Sequence, residues 1–157
     1  MSLHQPDRAN AGLDLEQSIM LVVGAHPHAE LFDRTPTECL RQRIMHWQAA
    51  REEIDPLDVL LVTDLWYLND ATMMARPTIA VGRPGVNAAT AFHANRLPPS
   101  FAVEDFVHMH FDPEFIEPVA CIWGRNEEST GAACDLFADR YLAAFMHSVH
   151  LMPAGES

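Results

Sequence analysis

Four short apolar runs interrupt an otherwise mixed sequence: Ser18–Gly24, Leu57–Thr63, Thr78–Val81 and Val119–Trp123. Apolar residues run on almost without alternation in each, which suits strands buried on both faces, as in a parallel sheet. Between the first two, Thr35-Pro36-Thr37-Glu38 has the form of a capping box, with Thr35 as cap, Pro36 at the first helical position and Glu38 reaching back. Leu40, Ile44, Trp47, Arg51 and Ile54 follow at helical spacing. They predict a helix that buries Leu40, Ile44, Trp47 and Ile54, after a linker over Ala25–Arg34.

The second half repeats the alternation. Asp64–Arg76 reads as a long connection with a helical turn over Asp70–Ala75, and Val86–Asn95 as a short helix stopped by Pro98-Pro99. A last helix from about Glu127 to His147 places Ala133, Leu136, Phe137, Tyr141, Ala144 and Phe145 inward. Phe101–Val103 and Phe106–Phe111 are strand-like with no helix between them, which predicts an antiparallel edge. In the second, Val107, Met109 and Phe111 face one way, and His108 and His110 the other. The expected fold is α/β, a three-layer α/β/α sandwich with a mostly parallel sheet and an antiparallel edge. A single domain is expected over residues 18–150, between a flexible N-terminal segment, 1–17, and a frayed tail, 151–157.

Composition narrows the function classes. The chain has 157 residues, 48% of them hydrophobic, which excludes a disordered chain, and a formal charge of −12, which argues against nucleic acid as a partner. All ten basic residues are Arg. Without lysine there is no Schiff base and no GxxxxGK[ST] phosphate loop. Residues 1–17 lack the apolar run of a signal peptide or membrane span, and Cys39, Cys121 and Cys134 are odd in number and lack CxxC spacing. The expectation is a cytoplasmic protein with reduced thiols, no membrane association, and homo-oligomerisation left open.

Candidate chemistry gathers at strand ends. Ile79-Ala-Val-Gly82-Arg83 and Cys121-Ile-Trp-Gly124-Arg125 end alike, and each precedes a helix opening on small or capping residues, Asn87–Thr90 and Ser129–Ala132. Beyond the carboxyl ends of parallel strands, such turns and helix starts can hold an anion. Arg83, Asn87, Arg125 and Ser129, with Asp64 and Trp66 from the aromatic turn Asp64–Asp70, are the candidate ligand residues. The competing reading is that both Gly-Arg pairs only turn the chain, Arg125 pairing with Glu127 or Glu128.

The turn after the first run carries His26-Pro27-His28. With a third ligand such as Asp64, this pair has the donor types for zinc or another divalent metal. His108 and His110 are a second pair on one strand face. Leu21–Glu30 resembles the first motif of the zinc-dependent sugar N-deacetylases, whose turn reads Ala-His-Pro-Asp-Asp-Glu. Ala25-His26-Pro27 and Glu30 match, but the two acids, which in that family are catalytic base and zinc ligand, are His28 and Ala29 here. Losing both acids removes the family's chemistry unless His28 substitutes for one of them, and the turn is taken as convergence. No GxSxG is present, and Cys121 lies within a strand. Three functions follow as expectations: a domain binding a small anionic metabolite at the carboxyl ends of its strands; a hydrolase, metal-assisted through His26, His28 and Asp64; and a structural or assembly protein without a ligand.

Overall fold

A computed structural model describes residues 14–103 and 106–151. Most of the N-terminal segment and the tail, for which flexibility was expected, lies outside the described residues. A 3-10 turn at Leu15–Gln17, capped by Asp14, leads into β1 (Ser18–Val23). The other strands are β2 (Asp58–Thr63), β3 (Thr78–Val81), β4 (Pro99–Val103), β5 (Val107–Phe111) and β6 (Val119–Gly124). They form one sheet in the order β2-β1-β3-β6-β5-β4. The first four of that order are parallel, and β5 and β4 add antiparallel at the edge. This is the expected α/β architecture.

Strand alternation sorts the core into two layers. Ile19 and Leu21, Ile79 and Val81, and Ala120 and Ile122 face one side, against Leu40 and Ile44 of α2 (Arg34–Ala49) and Ala133 and Phe137 of α6 (Glu127–Arg140). Met20, Val22, Ala80 and Cys121 face the other, against Tyr67 of α3 (Asp64–Leu68), Met73 of α4 (Ala71–Met74) and Ala89 of α5 (Ala88–Ala94). Burial on both faces is why these runs show no period of two.

Several boundaries differ from the expectation, each for a local reason. The linker Ala25–Arg34 contains a helix, α1 (Pro27–Phe32), started by His26 as cap and Pro27 at its first position. Asp33 ends α1 and begins α2, so Thr35 already lies inside a helix and the expected capping box does not form. Thr37 instead turns its hydroxyl back onto the Asp33 carbonyl, at 2.7 Å. At its other end α2 stops at Ala49, where Arg51 donates to the Trp47 carbonyl at 2.9 Å and lies over the indole, which leaves Ile54 outside the helical stripe. The connection after β2 is two short helices, α3 and α4. The long last helix breaks at Tyr141, whose φ of −123° leaves the helical region, and resumes as α7 (Leu142–His150). Tyr141 packs on Phe111 and Phe137, and the break shifts the phase so that Leu142, Phe145 and Met146 are buried while Ala144 is exposed.

A chain of buried hydroxyls locks the second layer. Thr78 Oγ1 donates to the Arg76 carbonyl at 2.8 Å, so it accepts from Tyr67 Oη at 3.0 Å, and Tyr67 Oη in turn accepts from His93 Nε2 at 2.8 Å. The order of donors assigns His93 its Nε2–H tautomer. Burial first, and the charge of Arg96 second, lowers His93 from 6.5 to about 4. The unfolded chain therefore takes the proton before the native state does. The stability contributed by neutral His93 is fully present above pH 6.5 and lost as pH falls toward 4. His93→Gln keeps a donor for Tyr67 without titrating. Urea unfolding from pH 7.5 to 4 should show wild type losing about 2 kcal/mol relative to this variant.

Candidate functional site

Because β1, β2, β3 and β6 are parallel, the turns that follow them open at one end of the sheet. Two buried side chains hold those turns. Asp64 accepts from the Ala25 amide on Oδ1 at 3.0 Å and from the Ala88 amide on Oδ2 at 2.7 Å, tying the end of β2 to the turn after β1 and to the start of α5. Asn87 donates to the carbonyls of Val22 at 3.0 Å and Val81 at 2.9 Å, and its Oδ1 accepts from the amides of Ala89 and Thr90. One amide side chain thus ties β1 to β3 and caps α5, with both of its donors used. Two glycines allow the approach. A Cβ at Gly24 would lie 1.8 Å from the Val86 carbonyl oxygen; Gly82 adopts φ +123°, and a Cβ there would lie 2.7 Å from Asp33 Oδ2.

The start of α6 is built differently. Its cap is Asn126, and Ser129, at the third helical position, completes a capping box with it. Thr130 Oγ1 accepts from the Gly124 amide at 3.1 Å. Asp64, Asn87 and Ser129 therefore use their polar atoms on the protein's own backbone and belong to the scaffold. Trp66 lies on α3 with 59% of its surface exposed, whereas Tyr67 beside it is fully buried.

The histidines have local partners. His26 Nδ1 accepts from the His28 amide at 3.0 Å, and His28 stacks against Phe32 at 4.7 Å. With both Asp64 oxygens turned onto amides, the set His26, His28 and Asp64 does not assemble. Among the described residues no group of three or more His, Cys, Asp or Glu is placed to hold a metal. His108 and His110 both stack on Trp123 with centroids 5.1 Å away, and His110 Nδ1 reaches the Leu97 carbonyl at 3.3 Å. Cys121 and Cys134 are buried, and burial holds both thiols protonated, Cys121 pushed up to about 12.

The same end of the sheet holds charges that are not engaged. Arg83 and Arg125 are exposed and make no ion pair or hydrogen bond among the described residues; Glu127 and Glu128 do not take Arg125. The field of Arg83 reaches His28, whose pKa is lowered by burial first, then by Arg83 and His26. It also reaches Asp33, which is not among the candidate residues named above. Asp33 is only 3% exposed, and its Oδ2 has no hydrogen-bond partner. Burial raises its pKa from 3.8 to about 6, with Arg83 opposing and Glu127 adding to the rise. Among the buried side-chain oxygens of the described residues, Asp33 Oδ2 and Thr90 Oγ1 alone lack a partner, and both lie at this end. Orphaned buried oxygens are rare enough to require a reason.

No protein-family model, no curated protein and no solved structure matches the chain. Among the described residues no helix is long and apolar enough to cross a membrane.

Two substitutions separate scaffold from site. Asp64→Ala removes two charge-assisted bonds and orphans two amides, and denaturant unfolding should report a loss of about 2–4 kcal/mol. Asp33→Asn removes a buried charge that has a raised pKa, so the charge weighs against folding above pH 6 and not below pH 4. The variant should be about 1 kcal/mol more stable than wild type at pH 8, with the gain gone at pH 4.

Proposed function

We propose that the protein binds a small anionic metabolite at the carboxyl ends of its parallel strands, with Arg83 and Arg125 as the groups that meet the anion. The observation that carries this reading is the contrast among the arginines. Arg34, Arg41, Arg43 and Arg96 pair with carboxylates. Arg51 and Arg76 donate to carbonyls, and Arg140 lies over Phe101. Arg83 and Arg125 have none of these partners, and each directly follows a glycine at a strand end. In a chain with a formal charge of −12, carboxylates are abundant, so two unengaged guanidiniums at one end of the sheet are unlike the other arginines among the described residues. Guanidinium groups favour phosphate and carboxylate through paired, parallel hydrogen bonds.

The place fits as well. β1 leads to α2 on one face of the sheet and β3 leads to α5 on the other, so the ends of these neighbouring strands flank a switch point. The metal-assisted hydrolase loses support, because its carboxylate is Asp64. The ligand set contracts from the six candidates to Arg83 and Arg125.

A thermal-shift series with sulfate, phosphate and citrate at low ionic strength, with chloride as control, tests the proposal. Binding to the folded state alone should raise the midpoint by a few degrees at saturating anion. Arg83→Ala and Arg125→Ala should each reduce that rise by half or more while leaving the midpoint without anion within about 2 °C. A flat response to all three anions, or an undiminished one in both variants, overturns the reading.

A further inference from the structure

We propose that the site takes up a proton together with its anion, and that Asp33 is the group that receives it. The inference rests on the anion reading above and adds how the site is regulated. Asp33 occupies the joint between α1 and α2, and its carboxylate lies under the turn that carries Arg83. Oδ2 comes so close to Gly82 that a single added carbon there would meet it at 2.7 Å. The side chain is buried, and no donor reaches Oδ2. Such a carboxylate cannot relieve its charge through water or through a hydrogen bond at that oxygen, so it responds to the charges around it.

Those charges come from each element around it. Arg83, from the turn after β3, is the cation that faces it, and Glu127 of α6 is the anion. The Cys134 thiol of α6 lies within range of Asp33 and is held neutral by burial. On the segment of Asp33 itself, His28 feels the field of Arg83, and His26 is its neighbour. An anion that settles on Arg83 cancels the attraction that helps keep Asp33 ionised and leaves Glu127 unopposed. The ionised carboxylate then faces two negative charges in a medium of low dielectric constant, and a proton drawn from solvent removes one of the three. Linkage makes the effect reciprocal: if the anion raises proton affinity, protons raise anion affinity by the same factor. Anion binding is therefore tighter below pH 6 than above it. His28 would also gain proton affinity when an anion covers Arg83, so the test must separate it from Asp33.

Sulfate keeps a fixed charge between pH 5 and 8 and is the probe. Calorimetric titration at pH 6.5, in two buffers of different ionisation enthalpy, counts protons taken up, and titrations at pH 5.5 and 8 give the affinity ratio. Wild type should take up protons and bind sulfate about fivefold or more tightly at pH 5.5 than at pH 8, the low end of measured couplings. Asp33→Asn should bind sulfate with no proton uptake and less than about twofold pH dependence. The double variant His26→Gln, His28→Gln should keep the uptake, which tests the proposal even where Asp33→Asn fails to fold. Sulfate binding without proton uptake in wild type, or uptake that persists in Asp33→Asn or vanishes in the double variant, overturns this inference and leaves the anion reading standing. Absence of sulfate binding at both pH values overturns both.

Discussion

Strand ends in a parallel sheet leave backbone groups that no neighbouring strand can satisfy, and here Asp64 and Asn87 meet that need. Their side chains reach across β1, β2 and β3 and take six backbone partners between them, at distances of 2.7–3.2 Å. The arrangement has a physical logic. A turn free enough to leave the sheet and start a helix on either face has too few backbone bonds to hold its own shape, and buried amides without partners are costly. A carboxylate and a carboxamide replace the missing ladder, and the turns become rigid without becoming strands.

That rigidity accounts for the charge arrangement above it. With the turn after β3 pinned by Asn87, Gly82 comes down onto Asp33 and Arg83 is carried outward, away from the acids that engage most other arginines. The two faces of the sheet contribute unequally. α2 and α6 pack on one face and are joined by Arg43, which pairs with Asp139 at 2.8 Å. α3 and α5 pack on the other face, where Tyr67 and His93 meet beside Thr78 at the start of β3. At the carboxyl ends of β1 and β3 the connections depart to opposite faces of the sheet.

The layer order and the antiparallel edge were legible because they depend on local pattern: continuous apolar runs for buried strands, and Phe101–Phe111 with no room for a crossover helix. What was not legible depends on distance in sequence. The helix at Pro27–Phe32 is an exception, since His26 as cap and Pro27 at the first position were in plain view; metal-ligand spacing drew attention to the same residues instead. Asp64 read as a ligand because an acid at a strand end has that appearance. Only the positions of Ala25 and Ala88 reveal that its oxygens are occupied. Asn87 and Ser129 read as binding residues for the same reason, since the residue types that cap helices are those that contact ligands. Asp33 had no signal at all. Its carboxylate fits only because Gly82, on another strand's turn, carries no side chain, and no local window contains both.

The contrast between the buried polar groups of the two layers is the strongest guide to where function lies. Thr78, Tyr67 and His93 form a chain in which each hydroxyl and the imidazole Nε2 has a partner, and such a network fixes one packing of a core. At the carboxyl end, in contrast, Asp33 Oδ2 and Thr90 Oγ1 are enclosed and, like the exposed Arg83 and Arg125, have no partner among the described residues. Had the Arg83 turn served only to reverse the chain, an apolar residue at position 33 would pack under Gly82 with no charge to desolvate, and the fold would be more stable at neutral pH. Among the described residues the buried oxygens without a partner lie at this end of the sheet, whereas the network of Thr78, Tyr67 and His93 is satisfied, so the cost in stability falls where the turns meet.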